Sequence, residues 1–553
     1  MGLVTATFSP LKARAFRWLE GTAVFASTGV WMMTLVSGFI MARLTTSPIL
    51  VTMAAATSPL AGIFAVLLSG AAADSRDRRS ILLLAKLLLV TSAAFLAVIS
   101  AAGWLSPGTL LIGLAAMGLA NGASSPVWWT TVTSLVPAEA VPVALSIDSF
   151  QWNIGQVAGP VLGGTVLRSA GGAVFFGLCA AVIVPLVGFL FFWRGRQDLR
   201  LSTPGGTATE SLLGSMSAGW RYFSNTPGLR AIAARTFLFV TPAVALGALL
   251  PLYAAKYLHA TAFGYGLLLA LAGVGALLAS LMLPHLQGRL HLDAIVAAAT
   301  LADALALVAL VLWPNRWSAV PVLVVAGGSF VCAVVAFIIA ARQVTPDWVQ
   351  TRALSLFYVV LQSPSVVGGI GFGLIDTFLS LRITLLIAAC AFVPGVLLIP
   401  RFGLPVVARS SLELFARPSV DTGAHISPGD GPVLVMFQYR INVKDVDDFL
   451  QAMARLRVVR RRLGATRWGV FQDAAEPGTF VETFLLSSWQ EYLQQRGHYS
   501  IADREVEARA FAFNAGGQEP PIQRFVHPET VEAARARSEW RREMLRLLKI
   551  PRE

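Results

Sequence analysis

The chain has 553 residues, of which 56% are hydrophobic and 13% charged; this excludes an ordinary soluble globular protein and makes a lipid bilayer its natural solvent. The net charge of +13 sits mostly in the apolar part, because residues 1–400 hold 21 Lys and Arg against 11 Asp and Glu, whereas residues 401–553 hold 22 against 19. A surplus spread over short loops between apolar runs matches the bias that orients membrane helices rather than a phosphate-tracking groove, so nucleic acid is not an expected partner.

Residues 1–18 read as a cytoplasmic N-terminus whose Lys12, Arg14 and Arg17 precede an apolar run too long for a signal peptide core. A helix needs ~20 apolar residues to cross ~30 Å of hydrocarbon. That ruler predicts spans near 19–42, 47–72, 81–103, 108–132, 142–168 and 172–193. After a polar connection at 194–229, spans are predicted near 230–256, 263–286, 292–313, 317–342, 353–378 and 381–400. The predicted fold class is therefore an all-α polytopic membrane protein with twelve transmembrane helices in two six-helix halves, 19–193 and 230–400. The loops on one side would carry Arg76, Arg78, Arg79, Arg194, Arg196, Arg200, Arg221, Arg230, Arg289, Arg342 and Arg352. The other side keeps Arg43, Arg168, Lys256, Arg316 and Arg382, an asymmetry that puts both termini in the cytoplasm. Arg235, at the start of the seventh span, reads as a snorkelling interfacial residue. Cys179, Cys332 and Cys390 all fall in apolar runs and indicate no disulfide framework.

Between the second and third spans stands Gly70-Ala-Ala-Ala-Asp74-Ser-Arg-Asp-Arg78-Arg79. Gly70 allows close helix approach, Asp74 can meet a helix N-terminus or an arginine, and the arginine pair holds the loop in the cytoplasm. The fifth span contains Gly155-Gln156-Val-Ala-Gly159-Pro160-Val-Leu-Gly163-Gly164, with glycines four apart on one helical face. The first string resembles the loop signature of the major facilitator superfamily and the second is similar to the antiporter motif of its exporters. Further strings, namely Ser47-Pro48, Pro126, Leu135, Pro137, Asn153, Pro346-Asp347-Trp348 and Arg352, look like the transmembrane secretion effector branch, which includes enterobactin-exporter-like proteins. Gln156 and Asp148 depart from that pattern, where Arg and Asn respectively are expected. The resemblance implies Gly70, Asp74, Arg78 and Arg79 as a conformational latch, and Gly155, Gly159, Pro160, Gly163 and Gly164 as the antiporter-like element.

Ionisable residues at membrane depth are costly and are functional candidates by default. Asp148 falls about two turns into the fifth span and Asp303 near the middle of the ninth. Burial favours the neutral form of a carboxyl, which suits both residues to proton coupling; a packing role for either stays open. Under the family's fold the central cavity would be walled by Trp31, Asn121 and Trp128, with Asn153, Gln156 and Gln362 as polar contributors. Such a lining suits a bulky amphipathic or lipophilic cargo, although aromatics near helix ends also form interfacial belts.

Residues 401–432, rich in Pro, Ser and Gly, read as a linker. Residues 433–527 then show strand-like alternation from Val433 to Ile441, helical periodicity from Asp445 to Leu463, strands at 467–472 and 480–487, one helical stretch from 488 to 513, and a closing strand at 522–526. The order βαββαβ is that of an α+β ferredoxin-like domain. Trp489 and His498 resemble the antibiotic-biosynthesis monooxygenase-like module, which implies a homodimer through the sheet; an enzyme of that kind would set either residue beside a substrate. The run Arg455-Leu-Arg-Val-Val-Arg460-Arg461-Arg462 reads either as a lipid-headgroup patch or as a solvated helix face. Residues 528–553 read as a basic amphipathic helix. No cofactor or metal is expected, since no Cys/His ligand spacing or glycine-rich nucleotide loop occurs.

Taken with the resemblance, this implies a non-enzymatic secondary transporter in the plasma (inner) membrane of a prokaryote. It would export a small organic molecule such as a siderophore, drug or secondary metabolite, by proton antiport with alternating access. Its partners would be cargo, protons and membrane lipids. Import or uniport by the same fold, and a membrane-tethered enzyme or sensor acting through the C-terminal domain, are the alternatives.

Overall fold

A computed structural model describes residues 9–73, 78–137, 140–193, 212–287, 289–398, 403–405, 411, 413–415 and 426–527. Asp74, the stretch 194–211 of the central connection, most of the linker and the basic segment 528–553 lie outside the described residues.

The apolar runs form α1 (Arg14–Leu44), α2 (Pro48–Ala73), α3 (Arg78–Ala101), α4 (Pro107–Ser134) and α5 (Val141–Phe192). After α6 (Leu212–Asn225) come α7 (Pro227–Lys256), α8 (Ala262–Gln287), α9 (Leu292–Leu312), α10 (Arg316–Gln343), α11 (Asp347–Phe378), α12 (Leu381–Cys390) and α13 (Val393–Leu397). Among the described residues nine helices are long and apolar enough to cross a membrane, or ten if α4, bent by 41° around position 126, counts as one. Pro126 supplies no backbone donor there, which is the usual origin of such a bend. These helices are apolar on both faces because packing and lipid demand the same chemistry. In α9, Ile295, Ala299, Ala306 and Leu310 are buried while Leu301, Leu305 and Leu312 are exposed.

The fifth and sixth predicted spans are continuous in α5. Its 52 residues would measure about 78 Å at 1.5 Å per residue, more than twice the ~30 Å hydrocarbon core. The run is broken at Gly171, where φ is 78°, a left-handed conformation that glycine adopts without cost.

The chain divides into two compact units: Met1–Leu213, Ala231–Ala340 and Phe357–Leu404 form the first, and Gly214–Arg230, Ala341–Leu356 and Pro405–Glu553 the second. In the first, Arg235 is buried and paired with Asp293 at the start of α9, and the Leu404 amide donates to the same carboxylate at 3.1 and 3.2 Å. This corrects the snorkelling expectation: a buried guanidinium needs a counter-charge, and Asp293 supplies one.

The second unit contains β1 (Val433–Arg440), α14 (Val446–Arg462), β2 (Thr466–Gln472), β3 (Thr479–Leu486), α15 (Trp489–Gly497), α16 (Ile501–Phe511) and β4 (Ile522–Val526). The four strands form one antiparallel sheet in the order β2-β3-β1-β4. Alternate β1 residues Val433, Val435, Phe437 and Tyr439 are buried with Phe449, Met453 and Leu456 of α14, as a period of two against a period of 3.6 requires. The predicted single helix 488–513 is instead two. Ser500 caps α16 by a reciprocal hydrogen-bond pair with Asp503, and that restart competes with helix continuation through His498 and Tyr499.

Candidate functional site

The glycine string of α5 is a seam for two neighbours. A Cβ added to Gly155 would lie 2.8 Å from the backbone carbon and Oγ of Ser27 on α1. At Gly159 it would lie 2.9 Å from the Met32 nitrogen and Trp31 Cβ, and at Gly163 2.9 Å from Val36. Spacing of four keeps all three on the α1 side. Gly164 faces α8, where its Cβ would come within 2.5 Å of the Ala262 carbonyl oxygen. Gly266 of α8 in turn abuts the Pro160 carbonyl. The motif thus brings α5 into backbone contact with α1 on one side and α8 on the other, close approach being what small-residue faces permit.

Just before this seam lies a buried ionisable cluster. Asp148, 8% exposed, accepts hydrogen bonds at Oδ1 from Trp128 Nε1 at 2.8 Å and Gln151 Nε2 at 3.3 Å. Lys86 of α3 donates to Ser124 at 3.4 Å and lies 5.5 Å from the Trp128 ring centroid. Glu20 of α1, 3% exposed, makes no hydrogen bond through either carboxylate oxygen among the described residues. Both Glu20 and Lys86 feel the charge of Asp148. Sequence reading singled out neither. Their signal was rarity: Glu20 is the one acid before Asp74, and Lys86 the one lysine between Lys12 and Lys256.

Arg79 donates through Nε to the Leu190 carbonyl at 2.7 Å and through a terminal nitrogen to the Phe191 carbonyl. It thereby satisfies carbonyls at the C-terminal, electronegative end of α5. Gly70 falls in the last turn of α2 and Arg78 opens α3. Asp303 lies apart from the cluster; its Oδ1 accepts from Ser329 of α10 at 2.6 Å. Of the predicted cavity residues, Trp31 meets Trp152 edge-on at 5.4 Å, Trp128 is engaged with Asp148, and Asn121, Asn153, Gln156 and Gln362 are half-buried. A cleft of about 1070 Å³ lies elsewhere, lined by Arg14, Trp18, Phe189, Phe192 and Trp193 among others; its exposed aromatics mark it as an outer groove, and none of the predicted cavity residues lines it.

Residues 5–532 match the transmembrane secretion effector family. The chain belongs to that family. It is a membrane transporter of the major facilitator type. Similar folds occur in PepTSo, a POT family transporter (14% identity, TM-score 0.57, 70% of this chain and 97% of that one), and in the nucleoside transporter NupG (13%, 0.56, 71% and 99%). A third is a bacterial homologue of the human lysosomal transporter Spinster in an inward-facing, unoccupied conformation (14%, 0.52, 71% and 96%). No curated protein matches the chain.

In this transporter's second unit the interior is occupied by charge. Arg460, 2% exposed, donates to Glu482 at 2.9 Å, to Glu507 at 2.8 Å and to the Tyr499 hydroxyl. Tyr439 and Trp468 each donate to Glu482 at 2.9 Å. Burial and the neighbouring Glu482 push the Tyr439 phenol well above its ordinary range, against the opposing pull of Arg460. Arg462 pairs with Asp503. The basic run of α14 is therefore not one surface: Arg460 points into the core and Arg462 across to α16. Trp489 packs on Tyr492 at 5.0 Å and His498 on Trp348 at 3.9 Å, so the two residues an enzyme would use are both held against aromatic neighbours.

Proposed function

We propose that this transporter exports a small amphipathic or lipophilic organic molecule, such as a siderophore, drug or secondary metabolite, from a prokaryotic cell in exchange for protons. Twelve crossings, with both termini in the cytoplasm, follow from reading the two legs of α5 on either side of Gly171 as separate spans and α12 with α13 as the last. The two six-helix sets would then rock about a midplane site. The α5–α8 glycine seam, which joins the two sets, is where such rocking would be borne, with Gly70, Asp74, Arg78 and Arg79 as the cytoplasmic latch.

The observation that carries the antiport reading is the placement of Asp148 and Glu20, two buried carboxyls, on α5 and α1, the helices that the glycine string packs together. A change of charge there and a change of packing would act on the same pair of helices. Asp303, paired with Ser329, is a second and separate candidate. The test is ethidium accumulation in everted membrane vesicles bearing the protein. Export by antiport predicts accumulation that collapses when the pH gradient is dissipated; ethidium movement indifferent to the gradient would favour uniport, and gradient-driven movement in the opposite direction would favour import.

For residues 433–527 we propose a ferredoxin-like, antibiotic-biosynthesis monooxygenase-like domain that regulates the transporter rather than catalysing a reaction. Its sheet has a face away from the helices where Leu434 stands in register with Leu485 and Phe525, and Phe471 and Phe525 are exposed. That apolar face supports a homodimer, measurable as a doubling of protein mass in detergent by sedimentation.

A further inference from the structure

We propose that Glu20 is the group that takes up and returns the exchanged proton, while Asp148 serves as a fixed anion that positions Lys86. The inference rests on the antiport reading and assigns its chemistry to one atom group. The two carboxylates share a neighbourhood but not an environment. Asp148 has two hydrogen-bond donors, Trp128 and Gln151, and the Lys86 ammonium as a counter-charge. Each of the three favours its ionised form and offsets part of the cost of burial, which is the largest influence on this carboxyl and acts the other way. Glu20 has none of these: neither oxygen meets a donor among the described residues, and the charge acting on it, that of Asp148, has the same sign.

An ionised carboxylate buried without a hydrogen-bond donor is among the most expensive groups a protein can bury. While this part of the protein is shut, Glu20 therefore carries a proton, and the Asp148–Lys86 pair leaves the cluster with no net charge. When water reaches Glu20, its Oε releases the proton and the cluster becomes a single negative charge. No other bond forms or breaks. The charge acting on Glu20 is that of Asp148 from α5, which is itself engaged by Trp128 of α4 and feels Lys86 of α3; on its own helix Arg14 and Arg17 are exposed.

Glu20 is also tied to the moving parts. Two turns along α1, Ser27 donates to the Gln151 carbonyl at 3.3 Å and occupies the space that a side chain at Gly155 would need. Gln151 in turn holds Asp148. Hydration of Glu20 is therefore linked through one turn of α5 to the seam itself.

The test uses purified full-length protein and infrared difference spectroscopy across a pH titration, reading the carbonyl stretch of protonated carboxyl groups. A buried carboxyl band is expected in the natural protein, with one component lost in Glu20→Gln and retained in Asp148→Asn, while the component of buried Asp303 persists in both. Loss in Asp148→Asn alone, loss in both variants, or no titrating band at all would overturn the assignment. Glu20→Asp keeps the acid and should restore a band, which separates loss of the carrier from loss of the fold. Ethidium accumulation in everted vesicles is read in parallel. If the natural protein shows no gradient-driven flux there, the antiport reading fails whatever the spectra show; with that flux intact, a band unaltered by Glu20→Gln removes Glu20 alone.

Discussion

The imidazole of His498 lies flat on the indole of Trp348, with ring centroids 3.9 Å apart and planes 2° from parallel. Tyr222 meets the same indole edge-on at 5.7 Å and donates its hydroxyl to the Val344 carbonyl at 3.2 Å. The Arg462 guanidinium covers the Tyr222 ring at 5.4 Å, and Arg221 pairs with Glu491 at 2.5 Å. One aromatic stack therefore joins α6, the start of α11, and α14 with the end of α15. The indole nitrogen makes no hydrogen bond among the described residues, so ring contacts hold Trp348 in place. Such a pair is worth about 0.5–1.5 kcal/mol beyond its buried area. Trp348→Ala should raise amide exchange in α15 by roughly 2- to 12-fold at 1.4 kcal/mol per decade, read by hydrogen–deuterium exchange of the full chain. Unchanged protection would mean that the stack contributes nothing.

Removing Arg460 should be far more damaging. Its guanidinium faces two fully buried carboxylates, Glu482 and Glu507, and breaking a buried ion pair from one side costs about 3–5 kcal/mol because a bare charge remains. Arg460→Met should therefore abolish slow amide exchange in β1 and β3 while leaving the protection of α1–α5 intact. Retained protection in the strands would show that Tyr439 and Trp468 suffice to hold Glu482.

The same unit should be sensitive to alkali. Burial pushes the Tyr222 phenol up to about 12, opposed by the Arg462 charge beside it, against about 10 for a free tyrosine. The folded value lies above the unfolded one, so the contribution of the neutral phenol is complete below about pH 10 and is lost as pH rises through about 12. Phenolate absorbance of the full-length protein should show a late-titrating component that disappears in Tyr222→Phe. If the two titrations superimpose below pH 11, the buried phenol is not protected.

The helices were legible because about 20 consecutive apolar residues have few other uses, and the α5 seam because glycines four apart must share a face. Arg79 was legible as an anchor, but not its target, since nothing in the sequence pairs it with carbonyls at 190 and 191. Glu20 was hidden by position: it is the second residue of the predicted span 19–42, where an acid at a span's end is ordinary, and its burial in a helix that begins six residues earlier, at Arg14, is a matter of packing. Arg235 was misread for the complementary reason, because its partner Asp293 lies 58 residues away. In the second unit the positions of the strands followed from alternation, while the inward turn of Arg460 did not, as five arginines in eight residues look like a solvated face until Glu482 and Glu507 are placed opposite.

The seam itself offers the sharpest mutational contrast. An alanine at Gly159 would set its Cβ 2.9 Å from the Met32 nitrogen and 3.0 Å from the Thr28 carbonyl oxygen. These are backbone atoms that no rotamer change can move aside. Overpacking of this kind costs about 1–3 kcal/mol, here by prising α5 from α1. Gly177, on the second leg of α5, has nothing within 4 Å of its Cβ position, and alanine there should be neutral or slightly stabilising, since it gains up to about 1 kcal/mol of helix propensity. Gly159→Ala should therefore lower the thermal midpoint of the purified protein and cut gradient-driven ethidium accumulation in everted vesicles, while Gly177→Ala lowers neither. Equal behaviour of the two variants would show that the close contact of α5 with α1 is not what the glycine string is for.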